Sequence, residues 1–367
     1  MDAMTRSSAS SMQAEGTPGY RPDATIATRI WIGLGVFWMA VFLYCLIAWV
    51  TGPDFRAVTF GRDQAPHGYV VFLKSLEMAM LALTIWLIWR FVLKPVLRTG
   101  RLSFDGIYYL ACFTLVVQEP WHSWIRPQLL YNDIFFNMGS WMGTLPVSNP
   151  TAYLTPVPLA FAGLGYFWIY GGPAHVGSIL MARAKRRNPS ISAPRMVIGT
   201  FLGFCVFDFF LESFILRTGM FVYPSTIPEL TLFAGKSYQF PVYETVAWAG
   251  SYTFAACLRH FRNTSGETVA DRGVGLIARE GWRRTLASWL AMVGFLQIGL
   301  LVTYNLPYMF YALHGGAFTV TEQEHPWLTA GICGPSTAYD CPAPGVPFAR
   351  RESPTNRLPA PTGTPAQ

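Results

Sequence analysis

Residues 104–150 carry the sequence FDGIYYLACFTLVVQEPWHSWIRPQLLYNDIFFNMGSWMGTLPVSNP. Its first part, 104–117, is apolar enough to enter a membrane. A dense cluster of polar and aromatic residues begins at Gln118, and a long loop rich in Asn, Trp and Gly then continues to Pro150. Hydrophobic segments flank this loop on both sides. We therefore predict that these segments form a scaffold and that the loop closes a site upon it.

The composition of the whole chain is typical of a membrane protein. The 367 residues are 52% hydrophobic and only 13% charged, whereas soluble domains carry about 25% charged residues. The net charge of +7 is expected from basic cytoplasmic loops, which makes nucleic-acid binding the poorer explanation. Arg far outnumbers Lys, a bias common in GC-rich bacterial genomes. We predict a multi-pass protein of the bacterial cell membrane that binds no nucleic acid.

Hydrophobic runs define seven predicted spans, at 30–50, 69–93, 104–119, 155–181, 196–216, 238–258 and 286–313. Each except the third is long enough to cross a hydrocarbon core of about 30 Å. Pro95 and Pro120 are predicted to end the second and third spans, and the run Gly171-Gly172-Pro173 is predicted to kink the fourth. The fold class is therefore an all-α integral membrane bundle of about seven helices, with a long outer loop between helices 3 and 4.

Two polar tails are predicted to flank the transmembrane domain at 29–313. Residues 1–28 are rich in Ser, Ala and Thr, and we expect a disordered cytoplasmic tail. Residues 314–367 form a Pro-rich outer tail, expected to be extended or disordered from His325 onward. Cys333 and Cys341 lie eight residues apart in this tail, and we predict that they form a disulfide in the oxidising compartment.

The distribution of Arg and Lys among the loops predicts the orientation. The loops within 90–101, 183–195 and 259–284 are basic, and the loops that alternate with them are sparse in Arg and Lys. Because cytoplasmic loops carry the excess of positive charge, the N-terminus is predicted to be cytoplasmic and the C-terminus to lie outside.

Polar residues from five segments then fall at the same outer depth of the membrane. Asp208 and Glu212 are four residues apart, hence on one helix face, among several Phe residues. Ionisable groups inside a membrane are costly and normally face the bundle interior or a cavity. We predict that Glu119, Asp208, Glu212 and Glu244 converge on one cavity as catalytic groups.

A simpler interpretation competes for each single residue. Acids near span ends can lie at the membrane interface, Glu77 can pair with Lys74, and Arg217 can neutralise Asp208 or Glu212. The convergence of several segments is what favours a site. The loop is predicted to cap that site, and the residues predicted to bind substrate are Gln118, Trp121, His122, Asn132, Asn137, Ser140, Trp141 and Tyr243.

No motif for a metal or an organic cofactor occurs. The chain has six His without a histidine-box spacing, and it has no HExxH, P-loop, GxSxG or Asp-rich diphosphate motif. We therefore predict neither a metal nor a cofactor, and a partner that is an apolar small molecule within the lipid bilayer.

The same residues resemble a known family. The runs Gln118-Glu119-Pro120, Tyr131-Asn132 and Asn137-Met138-Gly139-Ser140-Trp141 resemble the AveC family of integral-membrane spirocyclases. The segments Asp208-Phe209-Phe210-Leu211-Glu212, Tyr223-Pro224 and Pro241-Val242-Tyr243-Glu244 fit the same pattern, so the resemblance covers about 30–313. Asp commonly stands in the family where this chain has Glu119, which keeps the carboxylate and lengthens its reach.

The resemblance implies a reaction of actinobacterial polyketide pathways, a branch of secondary metabolism. There a dihydroxy ketone closes to a spiroketal, in some members with a following dehydration. The leading hypothesis is therefore a cofactor-independent membrane cyclase of spirocyclase type that uses general acid catalysis.

Two alternatives remain open. One is a binding or transport protein for an apolar small molecule, and the other is an acid-catalysed terpenoid cyclase. A transporter often shows two related halves, and none are visible in this sequence.

Overall fold

A computed structural model describes residues 22–59, 61–319, 325–329, 331–334, 337, 339–344 and 350–351. This part of the chain is mostly helical. Its α-helices are α1 (Pro22–Thr51), α2 (His67–Ile88), α3 (Lys94–Thr99), α4 (Phe104–Phe113), α5 (Tyr166–Ile169), α6 (Gly171–Arg187), α7 (Ala193–Thr218), α8 (Val242–His260), α9 (Val274–Ile277), α10 (Gly281–Leu300), α11 (Leu306–Ala312) and α12 (Pro326–Thr329).

Short antiparallel strand pairs tie the connecting segments together. β1 (Leu130–Tyr131) pairs with β2 (Phe221–Val222), β3 (Thr231–Leu232) with β4 (Phe240–Pro241), and β5 (Tyr339–Asp340) with β6 (Arg350–Arg351). The first pair fastens the loop after α4 to the end of α7. It thereby fixes the position of Tyr131 relative to that helix.

Four helical segments of the described chain are long and apolar enough to cross a membrane, at 25–51, 67–99, 193–218 and 281–312. This supports the prediction of a helical membrane protein. The third, fourth and sixth predicted spans coincide with the shorter helices α4, α6 and α8. A count of seven spans, and the side on which the long loop lies, therefore stay predictions.

Neither of the prolines predicted to stop a span does so. A π-helical turn, Trp89–Leu93, follows α2 directly, and α3 then contains Pro95 in its first turn. The helical segment 67–99 therefore continues through Pro95, with a local change to π winding directly before it. The helix ends instead at Gly100, which adopts a left-handed conformation with φ 67°.

The third segment likewise runs through Pro120. It changes after α4 to a 3₁₀ helix, Thr114–Ser123, and a 3₁₀ helix rises about 2.0 Å per residue rather than about 1.5 Å. The tighter winding lets a short segment reach further. It also places Gln118, Glu119 and His122 in a buried helix and not at the start of a loop.

The fourth segment is interrupted beside Gly171-Gly172-Pro173, as predicted, while its kink angle stays a prediction. A π turn, Leu159–Gly163, precedes α5, and the chain breaks at Tyr170 before α6 begins at Gly171. A Cβ at Gly171 would lie 2.7 Å from the ring of Tyr109. Only glycine therefore permits this close approach of α6 to α4.

Helix α8 lies at the centre of the bundle, packed against α6 and α7. It is rich in small buried residues such as Ala249, Ala255 and Ala256, which let neighbouring helices approach closely. Glu244 lies in its first turn and Asp208 and Glu212 lie on α7. The packing of α7 on α8 is therefore what brings these three acids together.

The predicted disordered N-terminal tail is wrong for residues 22–28, because α1 begins at Pro22. The hydroxyl of Thr28 donates a hydrogen bond of 2.6 Å to the carbonyl of Arg272, which fastens this end of α1 to the bundle. The rest of that prediction, for residues 1–21, lies outside the described residues.

The C-terminal tail also differs from expectation. It forms α12, and Leu328 and Ile332 are buried against Leu130 and Val222 of the first strand pair. The prediction of an extended or disordered tail is therefore wrong for this segment, while residues 352–367 lie outside the described part. The predicted disulfide is confirmed, since Cys333 is bonded to Cys341 with a Cα–Cα distance of 4.9 Å.

Candidate active site

A large apolar cavity lies in the bundle, with a volume of about 1080 Å³. Residues of α2, α5, α6 and α7 supply most of its lining. The acids that line it are Glu119, Asp208 and Glu212. A cavity of this size is typical of a small-molecule site, in which a few polar groups converge within mostly apolar walls.

Two of these acids belong to a cluster of three carboxyl groups. One oxygen each from Asp208, Glu212 and Glu244 lies within 4.8 Å of the others. Their residues are 2%, 4% and 0% exposed. Glu244 is not part of the cavity lining and lies behind the two acids of α7. We name these three residues the carboxyl cluster.

No basic side chain neutralises the carboxyl cluster among the described residues. The ion pairs found there are Lys74–Glu77, Asp105–Arg259 and Glu267–Arg284. The guanidinium of Arg217 lies instead over the ring of Tyr238, 3.8 Å from its centroid. The alternative in which Arg217 neutralises Asp208 or Glu212 is therefore wrong.

The carboxyl cluster also has few hydrogen-bond donors. Tyr223 donates a bond of 2.7 Å to Oε1 of Glu212. Among the described residues, no N–H or hydroxyl donates to Oδ2 of Asp208, to Oε2 of Glu212 or to either carboxyl oxygen of Glu244. Buried polar atoms without a partner are rare, and each one calls for an explanation such as a catalytic role or an unseen ligand.

Glu119 has a contrasting environment on the same cavity. The hydroxyl of Tyr131 donates a hydrogen bond to its Oε1, and the hydroxyl of Tyr166 donates one to its Oε2. Tyr131 is fixed by the β1–β2 pair and Tyr166 by α5. Both oxygens therefore accept hydrogen bonds, which is the arrangement that suits an ionised carboxylate.

Aromatic rings form the wall beside these acids. Trp248 stacks on Tyr252 with ring centroids 5.1 Å apart, and it lies 4.6 Å from the ring of Tyr304. All three line the cavity. Aromatic faces attract cations through their quadrupole, so this wall can stabilise positive charge that develops in a bound molecule.

The carboxyl cluster can also be judged as a metal site. Three carboxylates at this spacing offer oxygen ligands of the kind that Mg²⁺ and Ca²⁺ prefer, and no described cation competes for them. The absence of a metal therefore stays a prediction, and the carboxyl cluster is the place at which it can be tested.

The eight residues predicted to bind substrate do not line the cavity. The loop nevertheless contributes Leu129 and Tyr131 to the lining, so its role as a cap stays a prediction, as does substrate binding by these eight residues. The side chain of Gln118 donates a bond of 2.6 Å to that of Gln297 and accepts one of 2.9 Å from Asn305. These bonds join the 3₁₀ helix to α10 and to the π turn that follows it. The ring of Tyr243 packs at a tilt against that of Tyr311, with centroids 4.3 Å apart.

The predicted loop residues hold the loop in place. Nδ2 of Asn132 donates bonds to the hydroxyl of Tyr69 and to the carbonyl of Gly219, at 2.9 and 2.8 Å. Asn137 bonds to both the N–H and the carbonyl of Val58. The hydroxyl of Ser140 accepts a bond from the N–H of Met142.

The aromatic residues predicted in this region pack likewise. The indole of Trp141 donates a bond of 2.9 Å to the carbonyl of Val117, and the ring of Trp121 lies 5.3 Å from that of Trp38. The imidazole of His122 is buried without a hydrogen-bond partner.

Burial changes the charged groups of the loop. It raises the pKa of Asp133 to about 6, although the N–H of Gly61 donates a bond to this carboxylate. It lowers the pKa of Arg126 to about 10. The Arg126 guanidinium donates to the carbonyls of Ala312, Gly315 and Gly316, and thereby joins the loop to the end of α11.

Sequence reasoning missed Tyr166, Trp248 and Tyr252 as parts of the site. One signal was available: Glu244, Trp248 and Tyr252 follow each other at four-residue intervals, hence on one face of a helix. No comparable signal marks Tyr166, because its contact with Glu119 depends on the packing of α5 against the 3₁₀ helix.

Comparison with known proteins agrees with the resemblance seen in the sequence. A family model described as "Spirocyclase AveC-like" matches residues 99–328. The matched region includes every residue of the carboxyl cluster, Glu119 and most of the cavity lining. Comparisons with the curated proteins and with the solved structures give no match. Because the family model covers more than half of the chain, the protein belongs to the spirocyclase AveC-like family.

Proposed function

We propose that the protein is a membrane-bound, cofactor-independent cyclase that closes a hydroxy-ketone polyketide to a spiroketal by carboxylic-acid catalysis. One observation carries this proposal: Asp208 and Glu212 face an apolar cavity of about 1080 Å³, each with a carboxyl oxygen that accepts no hydrogen bond from an N–H or hydroxyl group of the described residues. Membership of the family supports the reaction class.

The reaction has simple requirements. One hydroxyl of the substrate adds to the ketone and gives a hemiketal. An acid then protonates the hemiketal hydroxyl, which leaves as water, and the second hydroxyl attacks the resulting oxocarbenium ion. Loss of the hydroxyl proton to a base completes the spiroketal. The balance is one substrate to one product and one water, and the proton taken from the acid is returned to the protein.

The carboxyl cluster suits the role of the acid. Three carboxylates packed together in an apolar interior, without a cation, would repel each other strongly, so we expect the cluster to hold protons. A shared proton also satisfies the oxygens that otherwise have no partner. Asp208 and Glu212 line the cavity and can reach the substrate, whereas Glu244 acts through them as a positioning residue.

Glu119 suits the complementary role. Its two tyrosine hydrogen bonds favour the carboxylate form, which can stabilise the oxocarbenium ion and accept the final proton. The wall of Trp248, Tyr252 and Tyr304 adds attraction for the same cation. The apolar lining excludes bulk water, which would otherwise capture the oxocarbenium ion and return it to the hemiketal.

The test uses purified protein in detergent and a synthetic dihydroxy ketone, with the spiroketal measured by mass spectrometry. Asp208→Asn keeps the shape of the side chain and removes its titrating proton. We expect a folded variant whose turnover is at least about 100-fold lower, the contribution typical of general acid catalysis. Asp133→Asn is the matched control, since Asp133 is a buried loop acid outside the cavity lining, and it should keep its turnover.

The alternatives predict different outcomes of the same assay. A binding or transport protein forms no spiroketal in detergent with any variant, which would contradict the proposal. Turnover that disappears in EDTA and returns with Mg²⁺ would show that the carboxyl cluster acts by holding a metal ion. A terpenoid cyclase would convert a polyprenyl diphosphate or an epoxide and leave the dihydroxy ketone unchanged.

We further propose that the N-terminus is cytoplasmic and that the C-terminus lies outside, in the membrane of an actinobacterial cell. The alternation of Arg-rich and Arg-poor loops supports this orientation. Reporter fusions at Arg186 and at Ser336 should report opposite sides of the membrane. The same side for both would contradict the orientation.

A further inference from the structure

We propose that the cavity is a groove, open to the bilayer, for a long linear substrate. The reacting polar end of the substrate lies at Glu119, Asp208 and Glu212, its apolar tail lies along α7, and it enters sideways between α2 and α7. This inference rests on the proposed function for the identity of the reacting end. The groove itself rests on separate observations.

The first observation is the length of the cavity. Its lining follows α7 from Ile215 and Glu212 at one end to Met196 and Arg195 at the other. Asp208 and Met196 are twelve residues apart, which corresponds to about 18 Å along a helix. The acids lie at one end of this path, so a molecule that reaches them and fills the cavity must be elongated.

The second observation is the side opening. Leu83 and Trp86 of α2 and Phe207 and Phe214 of α7 line the cavity, yet they are 39% to 57% exposed. Residues that both line a cavity and remain exposed mark its rim. Both helices are apolar enough to cross a membrane, so this rim faces lipid hydrocarbon and gives a substrate dissolved in the bilayer direct access.

The third observation is the space kept along the path. Gly199 and Gly203 of α7 line the cavity, and a Cβ at either position would meet no atom within 4 Å. They are four residues apart, hence on the same face of α7. The helix thus presents a smooth, shallow track between the larger side chains of α2 and α6.

Together these features select the chemistry of the occupant. The track beyond Asp208 offers mostly apolar side chains, so polar groups along the tail would lose their hydrogen bonds with water without replacement. A saturated or sparsely substituted hydrocarbon chain fits this track. The oxygens of Asp208 and Glu212 that lack partners mark the end at which the polar part of the molecule belongs.

Photolabelling tests the groove without requiring turnover. The probe is a linear dihydroxy alkyl ketone that carries a diazirine either beside the ketone or at the far end of its tail. With the protein in lipid nanodiscs, we expect the first probe to label 207–215 and the second to label 176–203, as mapped by peptide mass spectrometry. Labelling of 130–160 by the tail probe would overturn the proposal.

Tryptophan substitutions provide the second arm of the experiment. Gly203→Trp should block the track about 7.5 Å from Asp208, and Gly199→Trp about 13.5 Å from it. We expect Gly203→Trp to abolish tail labelling by every probe whose tail reaches past Gly203. Gly199→Trp should abolish it only for probes whose tail also reaches past Gly199. Gly33→Trp is the matched control, because Gly33 is an open, exposed position of α1 outside the cavity lining, and it should label as the native protein does.

The arms separate the groove from the reaction. Asp208→Asn should label normally even if it forms no spiroketal. The expected labelling without any cyclisation would leave the groove in place and contradict the proposed function alone. Equal labelling of Gly203→Trp and the native protein would overturn the groove and leave the acid chemistry unaffected. The same holds if a phospholipid displaces both probes equally in the native protein and in the two glycine variants.

Discussion

Two sets of buried polar residues, three amides and hydroxyls of the loop and the three acids of the carboxyl cluster, differ in their hydrogen bonding. In the loop at 121–154, the side chains of Asn132, Asn137 and Ser140 all find partners in the backbone or in other side chains. In the carboxyl cluster, Oδ2 of Asp208, Oε2 of Glu212 and both oxygens of Glu244 accept no hydrogen bond from an N–H or hydroxyl of the described residues. Both regions are buried, and both are dense in polar atoms.

This difference separates architecture from chemistry. A buried polar group that is satisfied contributes to stability and specifies one arrangement of the chain. A buried group that is not satisfied costs free energy, and it is retained where something else, such as a proton or a ligand, completes it. Asn132 and Asn137 therefore fasten the loop to the bundle, and the cluster and its cavity are the place to expect a reaction.

Among the substitutions that test this difference, Glu119→Gln is expected to have the largest effect on turnover. The amide can keep one of the two tyrosine hydrogen bonds but carries no negative charge toward the cavity. We expect turnover to fall about 100-fold because the oxocarbenium ion loses its counter-charge and the final proton its acceptor, with substrate binding little changed. Turnover of the dihydroxy ketone and binding of the tail-labelled probe measure the two quantities.

Glu77→Gln is the matched control for that change. Glu77 is also a buried glutamate, but its carboxylate accepts bonds from Lys74 and from the N–H of Phe136, both at 2.7 Å, and it does not line the cavity. We expect a lower unfolding temperature and an unchanged turnover per folded molecule. Equal losses of turnover in the two variants would refute the division between the regions.

How far the sequence predicts this structure depends on the kind of contact involved. Hydrophobic runs located the helices, and the four-residue spacing of Asp208 and Glu212 placed them on one buried face. Both properties are local, so they can be read along the chain. The ends predicted at Pro95 and Pro120 were wrong because a π turn precedes Pro95, and because the carbonyl of Val117, which Pro120 leaves free in a 3₁₀ helix, accepts a bond from Trp141.

The hydrogen bonds of the loop residues could not be predicted either, and the reason is different. Asn137, Ser140 and Trp141 are residue types that serve equally well in binding and in structural hydrogen bonding. Which role they take depends on whether partners such as Val58 and Val117 lie within reach, and those contacts span long distances in sequence. The donors to Glu119 are hidden for the same reason, since Tyr131 and Tyr166 approach it from different segments.

A smaller effect is expected from Tyr166→Phe. It removes one of the two donors to Glu119, and a hydrogen bond to a charged group is worth about 1.5–3 kcal/mol. Because part of that stabilisation applies equally to the ground state, we expect turnover to fall about 10-fold. The activity of Tyr166→Phe should also depend differently on pH from that of the native protein, since the hydrogen bonds of Glu119 change.

Tyr170→Phe is the control on the same segment. The hydroxyl of Tyr170 donates a bond of 3.1 Å to the carbonyl of Ser251 and not to Glu119. It should leave the pH profile of turnover unchanged. A shifted profile in Tyr170→Phe, or an unshifted one in Tyr166→Phe, would contradict the role given to the tyrosine bonds.

The smallest effect on turnover is expected from Asn137→Ala, although its effect on stability should be clear. Asn137 makes hydrogen bonds of 2.9 and 3.1 Å with the N–H and carbonyl of Val58, and its Nδ2 also donates to the carbonyl of Phe135. Leaving these buried backbone groups without partners should lower the free energy of unfolding by about 3 kcal/mol. Thermal unfolding in detergent measures the loss, while turnover per folded molecule should remain within about twofold. If Asn137 instead contacts substrate, turnover falls while the unfolding temperature stays the same, and the loop would then belong to the site and not to the scaffold that surrounds it.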